Sequence, residues 1–168
     1  GGAYEAYLID DVLRSVSGVS SVGTISQAQA IKYAQNRGKG FQLFDWEMHK
    51  DVGNLHFFKY GNTDSQGVCG YGTNNYQKVT GLTNALGIRD TVSYYKEKGG
   101  SNPQAEGAYR DGVNYQSVNV LGYENFQGNK AEWLQYVTVN KTAADGRWFI
   151  TMPDGTERVV QGITVYNA

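Results

Sequence analysis

Two histidines, one thiol and an unusual stock of tyrosine are the residues of this chain with chemistry to offer. His49 and His56 stand seven apart, which puts them on one face of a helix two turns from each other. A close metal pair needs the i, i+4 spacing, and no third ligand stands beside these two, so a structural role is expected and no metal site. Asn62-Thr63-Asp64-Ser65-Gln66 is rich in oxygen but lacks the further carboxylates that a calcium loop collects, and reads as a loop that caps itself. Cys69 is the sole cysteine, which excludes an intrachain disulfide and a multi-cysteine metal centre; a small, part-buried hydrophobe is the expectation. Asp10-Asp11 has no partner acid or base, and neither a Gly-x-Ser-x-Gly elbow nor a phosphate-cradling loop occurs. No catalytic residue and no cofactor are expected.

Tyr71, Asn74, Asn75, Tyr76, Tyr94, Tyr95, Tyr109, Asn114 and Tyr115 have the composition of a binding surface. Tyrosine gives rigid contact area at low entropic cost, and Asn and Gly adapt their hydrogen bonding around it. Saccharides suit such a surface, their C–H faces stacking on rings and their hydroxyls pairing with amides. The same rings could instead fill a loop-rich core, and residue by residue the two readings weigh equally.

The elements that must position these residues follow from caps and turns. Ser26 and Gln29 form a capping box, so a helix should run from about Gln27 to Asn36, with Ala30, Ile31 and Ala34 as its apolar stripe and Gly38 as terminator. Phe41-Gln42-Leu43-Phe44 alternates like a short strand. Asp45 caps a second helix through Tyr60, ended by Gly61, with Met48, Val52, Leu55 and Phe58 on one side and Trp46, Phe57 and Tyr60 on the other, which predicts packing on two faces. Residues 61–115 read as long irregular loops. Leu134 to Asn140, Arg147 to Met152 and Thr156 to Val165 read as strands separated by Asp145-Gly146 and Pro153-Asp154-Gly155, a three-stranded antiparallel meander.

The 168 residues, 22 of them glycine and only two proline, suit one loop-rich α+β domain. Residues 1–23 read as a leader and linker, and 24–168 as the domain. With 15 basic and 16 acidic residues there is no phosphate-tracking surface, so nucleic acid is not an expected partner. No apolar run reaches the roughly 20 residues of a membrane span, and residues 1–20 have no secretory-signal pattern, so neither insertion nor such a signal is expected.

Leu121-Gly122-Tyr123-Glu124-Asn125-Phe126-Gln127-Gly128-Asn129-Lys130-Ala131-Glu132-Trp133 is the most specific stretch, with Gly122, Asn125, Gly128, Asn129, Glu132 and Trp133 at fixed offsets. It resembles the G-[LIY]-x-[DN]-[LMF]-x-G-N-x-x-E-W segment of formylglycine-generating enzymes, the variable proteins of diversity-generating retroelements and many phage tail proteins, all with the C-type lectin fold. Ile25 to Met48 resembles the other half of that pattern, a Ser-x-x-x-Ala helix, a Gly, a short strand and a Thr-x-x-Glu-Trp helix start, with Phe44 in place of the usual proline and Trp46-Glu47 inverted.

The resemblance implies a C-type lectin-like fold: two helices, a small antiparallel sheet, long irregular loops, and Trp133 as a buried indole anchoring the core. Formylglycine-generating chemistry needs a cysteine pair and is not carried over. Asn102-Pro103-Gln104 is the nearest match to the calcium-lectin motifs, and Trp-Asn-Asp is absent, so no calcium site is implied. Tyr60-Gly61 to Ser65-Gln66 and Asn84-Ala85-Leu86-Gly87 look most like the phage tail and prophage members. These imply a virion protein of a tail or fibre, often a homotrimer, that attaches to a bacterial surface receptor or glycan. The alternative is a structural virion or cell-surface assembly protein or adhesin, touching other virion proteins or copies of itself. Family members carry a further Gly/Arg/Ser/Tyr-rich stretch beyond the meander, which this chain lacks; the 61–115 loops then make the ligand surface, or the domain is cut short, or it acts as a connector.

Overall fold

The computed structural model describes residues 2–70, 72, 79–97, 99, 117–127, 132–139, 148–152 and 154–160. Four α-helices and seven short strands alternate irregularly along it, an α+β arrangement, and all strand pairs within the sheets are antiparallel.

The stretch expected to be a leader is bonded into the body. Strands β1 (Ala6–Ile9) and β2 (Val12–Ser15) pair with Ile9 opposite Val12. Asp10 and Asp11 between them hold φ of 49° and 57°, the left-handed pair that a two-residue primed hairpin turn requires. The hairpin is fastened on three sides: Val22 N donates to Ala6 O, Glu124 N to Ala3 O, and the Asn36 amide to Asp11 O.

Helix α1 (Gln27–Gln35) starts at the expected capping box. The Ser26 hydroxyl accepts from Gln29 N while Gln29 Oε1 accepts from Ser26 N at 2.9 Å, and Ala30 and Ala34 face inward. No strand follows at 41–44; that stretch is irregular, with a single parallel bridge from Asp45 to Gln135. Helix α2 (Trp46–Tyr60) begins where Asp45 Oδ1 accepts from Met48 N at 2.8 Å and ends at Gly61, whose φ of 64° is the left-handed stop. Its packing differs from the expected two-sided burial. Only Val52 and His56 are buried, while Leu55 and Phe57 are exposed and Phe58 is 82% exposed. The inward stripe runs through His49, His56 and Tyr60, because the rings there find partners: His49 stacks on Phe126 at 5.1 Å and His56 tilts against Tyr60 at 4.8 Å.

Within 61–97 the chain forms α3 (Ser65–Cys69), a 3-10 turn at Asn84–Leu86 and α4 (Thr91–Glu97). Asp64 caps α3 through Gly67 N, and Asn62 Oδ1 accepts from Asp64 N, the self-capping loop expected. Asp90 caps α4 through Ser93 N and pairs with Lys59 of α2 at 2.6 Å. Burial pushes its carboxyl up, but the bonds from Lys59 and Ser93 outweigh burial and hold it below the usual range.

Strands β3 (Asn119–Val120) and β4 (Tyr123–Glu124) form a hairpin, and β5 (Val137–Val139), β6 (Trp148–Thr151) and β7 (Glu157–Val160) form the expected meander. Its second turn closes through Met152 N to Thr156 O, with Gly155 at φ 83°. Cys69, Val92 and Val120 form a core cluster with Tyr60, Val68, Leu121 and Phe126 packed around it. Among the described residues buried polar side chains outnumber buried apolar ones, so hydrogen-bond networks share in defining the interior.

Candidate functional site

The site is built outward from the corner at 119–126. Leu121 and Gly122 both hold positive φ, 54° and 86°, so β3 turns into β4 within two residues. The Asn119 side chain secures the turn by accepting from Gly122 N at 3.1 Å, and Asn119 N donates to Thr91 Oγ1 at 2.7 Å, tying the corner to α4.

The turn delivers Glu124 to a place where its buried carboxylate meets three donors: Gly81 N at 2.6 Å, Thr83 N at 2.7 Å and Thr83 Oγ1 at 2.6 Å. A buried carboxylate is tolerable only with such partners. Asn125 follows at φ 53°, buried, its backbone N–H donating to Val118 O. Its side-chain amide finds no hydrogen-bond partner among the described residues, so its left-handed backbone accounts for the residue type better than its amide does.

The end of the motif and the residues just after it come back against the helix starts. Gln135, 3% exposed, donates its backbone N–H to Phe44 O at 2.7 Å and accepts from Leu43 N on Oε1 at 3.1 Å. The Gln27 amide, in the first turn of α1, donates to Leu134 O at 2.7 Å and Val137 O at 2.8 Å. Trp133 is not the buried anchor expected. It is 52% exposed, its Nε1 donating to Ile25 O at 2.7 Å, and the burial falls to Gln135 instead. The reason is local: residues 41–44 stay irregular, and the Leu43 N–H is met by the Gln135 side-chain oxygen, an acceptor that an indole does not have.

Between the β1–β2 hairpin, α1, α2, β4 and 132–134 opens a cavity of about 840 Å³. One wall is a run of rings: Phe44 meets Tyr123 edge-on at 5.6 Å, Tyr123 meets Phe126 at 6.2 Å, and Phe126 stacks on His49. Burial lowers the His49 pKa from 6.5, leaving a neutral ring at pH 7. Met48 and Leu55 extend this wall along α2, which explains why they are exposed: they face the cavity. Trp133, Glu132 and Glu5 also line it. The Glu132 side chain is exposed on the cavity, and the surrounding protein first, then the nearby Glu5, push its pKa up to about 7.

Cys69 lies apart from this cavity, wholly buried, with Sγ 3.9 Å from His56 Nε2. His56 Nδ1 is 3.0 Å from Asn62 O, which favours the Nδ1–H tautomer and leaves Nε2 to accept from the thiol. Burial pushes the thiol up to about 11, the reverse of what an activated cysteine needs. Among the described residues no three His, Cys, Asp or Glu side chains gather as a metal site, and no helix is long and apolar enough to cross a membrane.

The chain matches no family model, no curated protein and no solved structure.

Of the residues expected to bind ligand, Tyr71, Asn74, Asn75, Tyr76, Tyr109 and Tyr115 lie outside the described residues, as do Asn114 and, of the motif, Gly128 and Asn129. Tyr95 is described only as part of α4. Tyr94 is half-buried on α4, with the Arg89 guanidinium 5.6 Å from its ring centre. Of the motif residues, Gly122 and Asn125 form the corner, and Glu132 and Trp133 line the cavity. Sequence reasoning missed the Glu124 network, Gln135 and the cavity. The alternating Tyr123-Glu124 next to a glycine turn was a signal for the first; nothing in sequence marks the other two.

Proposed function

We propose that this chain is a non-catalytic ligand-binding domain of C-type lectin-like fold, carried on a phage tail or fibre type virion protein, that attaches to a receptor or glycan on a bacterial surface through its Tyr/Asn/Gly-rich loops. The observation that carries it is the meeting of the two motif-bearing segments. Gln135, two residues past the Glu132-Trp133 couple, is hydrogen-bonded to Phe44 and Leu43 just ahead of α2, and Trp133 to Ile25, which supports a unit built from both segments. The tyrosine surplus supplies the surface chemistry. A buried thiol with its pKa raised to about 11 speaks against oxidative cysteine chemistry.

The test is binding of the purified chain to an array of bacterial surface glycans and to intact cells. A hit weakened about tenfold or more by Tyr76→Ala or Tyr95→Ala fits a surface in which tyrosines are the energetic centre. Absence of any hit, or hits indifferent to both changes, would refute it.

A second reading, a structural assembly protein, is favoured by Phe58 and Ile88, which stand bare on the single chain. Exposed large hydrophobes mark surfaces for association. Sedimentation of the native protein separates the two: a trimer dissociated by Phe58→Ser favours assembly, and a monomer at micromolar concentration removes it.

A further inference from the structure

The cavity beside the motif corner is lined by two unlike sets of side chains, aromatic rings and carboxyls. Its aromatic wall, Phe44, Tyr123, Phe126 and His49, presents ring faces and edges, and Trp133 faces the same space, its indole fixed by the bond from Nε1 to Ile25 O. Glu5 and Glu132 line the same space close enough to repel each other. Asp51 and Glu124 add two more carboxyls to the lining, of which Glu124 is committed to Gly81 and Thr83. The cationic side chains of the lining are Arg14 and Arg37; the Arg37 guanidinium is already engaged, 4.6 Å from the centre of the Phe41 ring, which also lines the cavity. Acid thus exceeds base on a surface of aromatic rings.

We propose that this cavity binds an organic cation, an alkylammonium group held between the aromatic side chains and the Glu5–Glu132 pair, with its apolar body along Met48 and Leu55. Rings attract a cation through their quadrupole, most strongly where water is excluded. A cation also relieves the repulsion between the two carboxyls, which a neutral sugar leaves as it was and an anion worsens. At about 840 Å³ the space lies within the range of small-molecule sites and exceeds a trimethylammonium head, leaving room for a carrier chain. The inference is independent of the attachment reading, since the cavity is made by residues other than the tyrosines assigned to the receptor surface.

The experiment titrates the whole chain with choline, with its uncharged isostere 3,3-dimethylbutanol and with N-acetylglucosamine, followed by calorimetry and tryptophan fluorescence. Choline should bind at least about tenfold more tightly than the alcohol. Because the Glu132 carboxyl titrates near 7, going from about pH 8 to about pH 6 should weaken choline about tenfold and leave the alcohol unchanged. That comparison uses the unaltered protein, so it stands even if a variant misfolds. Glu132→Gln, checked for folding by circular dichroism, should weaken choline similarly and abolish its pH dependence. Equal affinity for choline and the alcohol, a pH-independent choline affinity, binding of N-acetylglucosamine alone, or no saturable choline binding at tens of millimolar would each overturn the proposal.

Discussion

Glu124 offers the sharpest test of how the corner is held. Its carboxylate is 4% exposed and takes hydrogen bonds from Gly81 N, Thr83 N and Thr83 Oγ1, all within 2.7 Å. Bonds to a charged acceptor are worth about 1.5–3 kcal/mol each, and an orphaned buried N–H costs about 1–3 kcal/mol, but members of one network do not add. Glu124→Ala removes the acceptor from two backbone donors and a hydroxyl at once, so a loss of about 3–5 kcal/mol is expected. Glu124→Gln keeps one oxygen, which can serve Thr83, and turns its NH₂ toward Gly81 N–H, donor against donor; about 2–3 kcal/mol is expected. The assay is equilibrium unfolding in urea by tryptophan fluorescence, with the slope unchanged and the midpoint lowered. Glu157→Ala, on the exposed strand β7, serves as control and should stay within about 0.5 kcal/mol. If Glu124→Ala costs no more than the control, the corner is not held by this carboxylate and the reasoning fails.

Three further outcomes follow from the same geometry. Gly81 holds φ of 86°, and a Cβ there would overlap Ser17 Oγ and come within 3.0 Å of Asn84 Nδ2, so Gly81→Ala should destabilise by about 2 kcal/mol or more in the same assay. Iodoacetamide, followed by mass spectrometry, should leave Cys69 unlabelled in the native protein and label it fully in denaturant; rapid native labelling would contradict a buried thiol held at about 11. Glu132, ordinarily near 4.5, is held up to about 7, so the native chain keeps a proton the unfolded chain has released. Stability should therefore fall as pH rises from about 4.5 to about 7, and Glu132→Gln should flatten that slope; an unchanged slope would place Glu132 elsewhere.

What the sequence made legible was local. Ser26 with Gln29, Asp45 and Gly61 mark helix ends because their side chains or backbone act within three or four residues, and the structure places the caps there. Pro153-Asp154-Gly155 marked a turn for the same reason. The first hairpin escaped notice because Asp10-Asp11 reaches left-handed backbone without the glycine that usually announces it. Choices set by partners distant in sequence were not legible. Leu55 and Phe58 look like core residues on a helical wheel, yet α2 buries His56, whose ring has Asn62 O, Cys69 and Tyr60 to meet. Trp133 has the larger apolar surface, but Gln135 is buried because the Leu43 N–H needs an acceptor there, which its side-chain oxygen supplies. The cavity emerges only when the hairpin, α1, α2 and 132–134 are together, and no single segment encodes it.

The account rests on the junction between the Glu132–Gln135 segment and the start of α2, and amide hydrogen exchange read by NMR on the native chain tests it directly. Gln135 N–H, bonded to Phe44 O, and Leu43 N–H, bonded to Gln135 Oε1, should exchange at least about a hundredfold more slowly than in an unstructured peptide, and Gln135→Ala should release Leu43 while leaving the α2 interior protected. Exchange of both amides at unstructured-peptide rates in the unaltered protein would mean that the two motif-bearing segments do not meet, and the lectin-like reading would go with them.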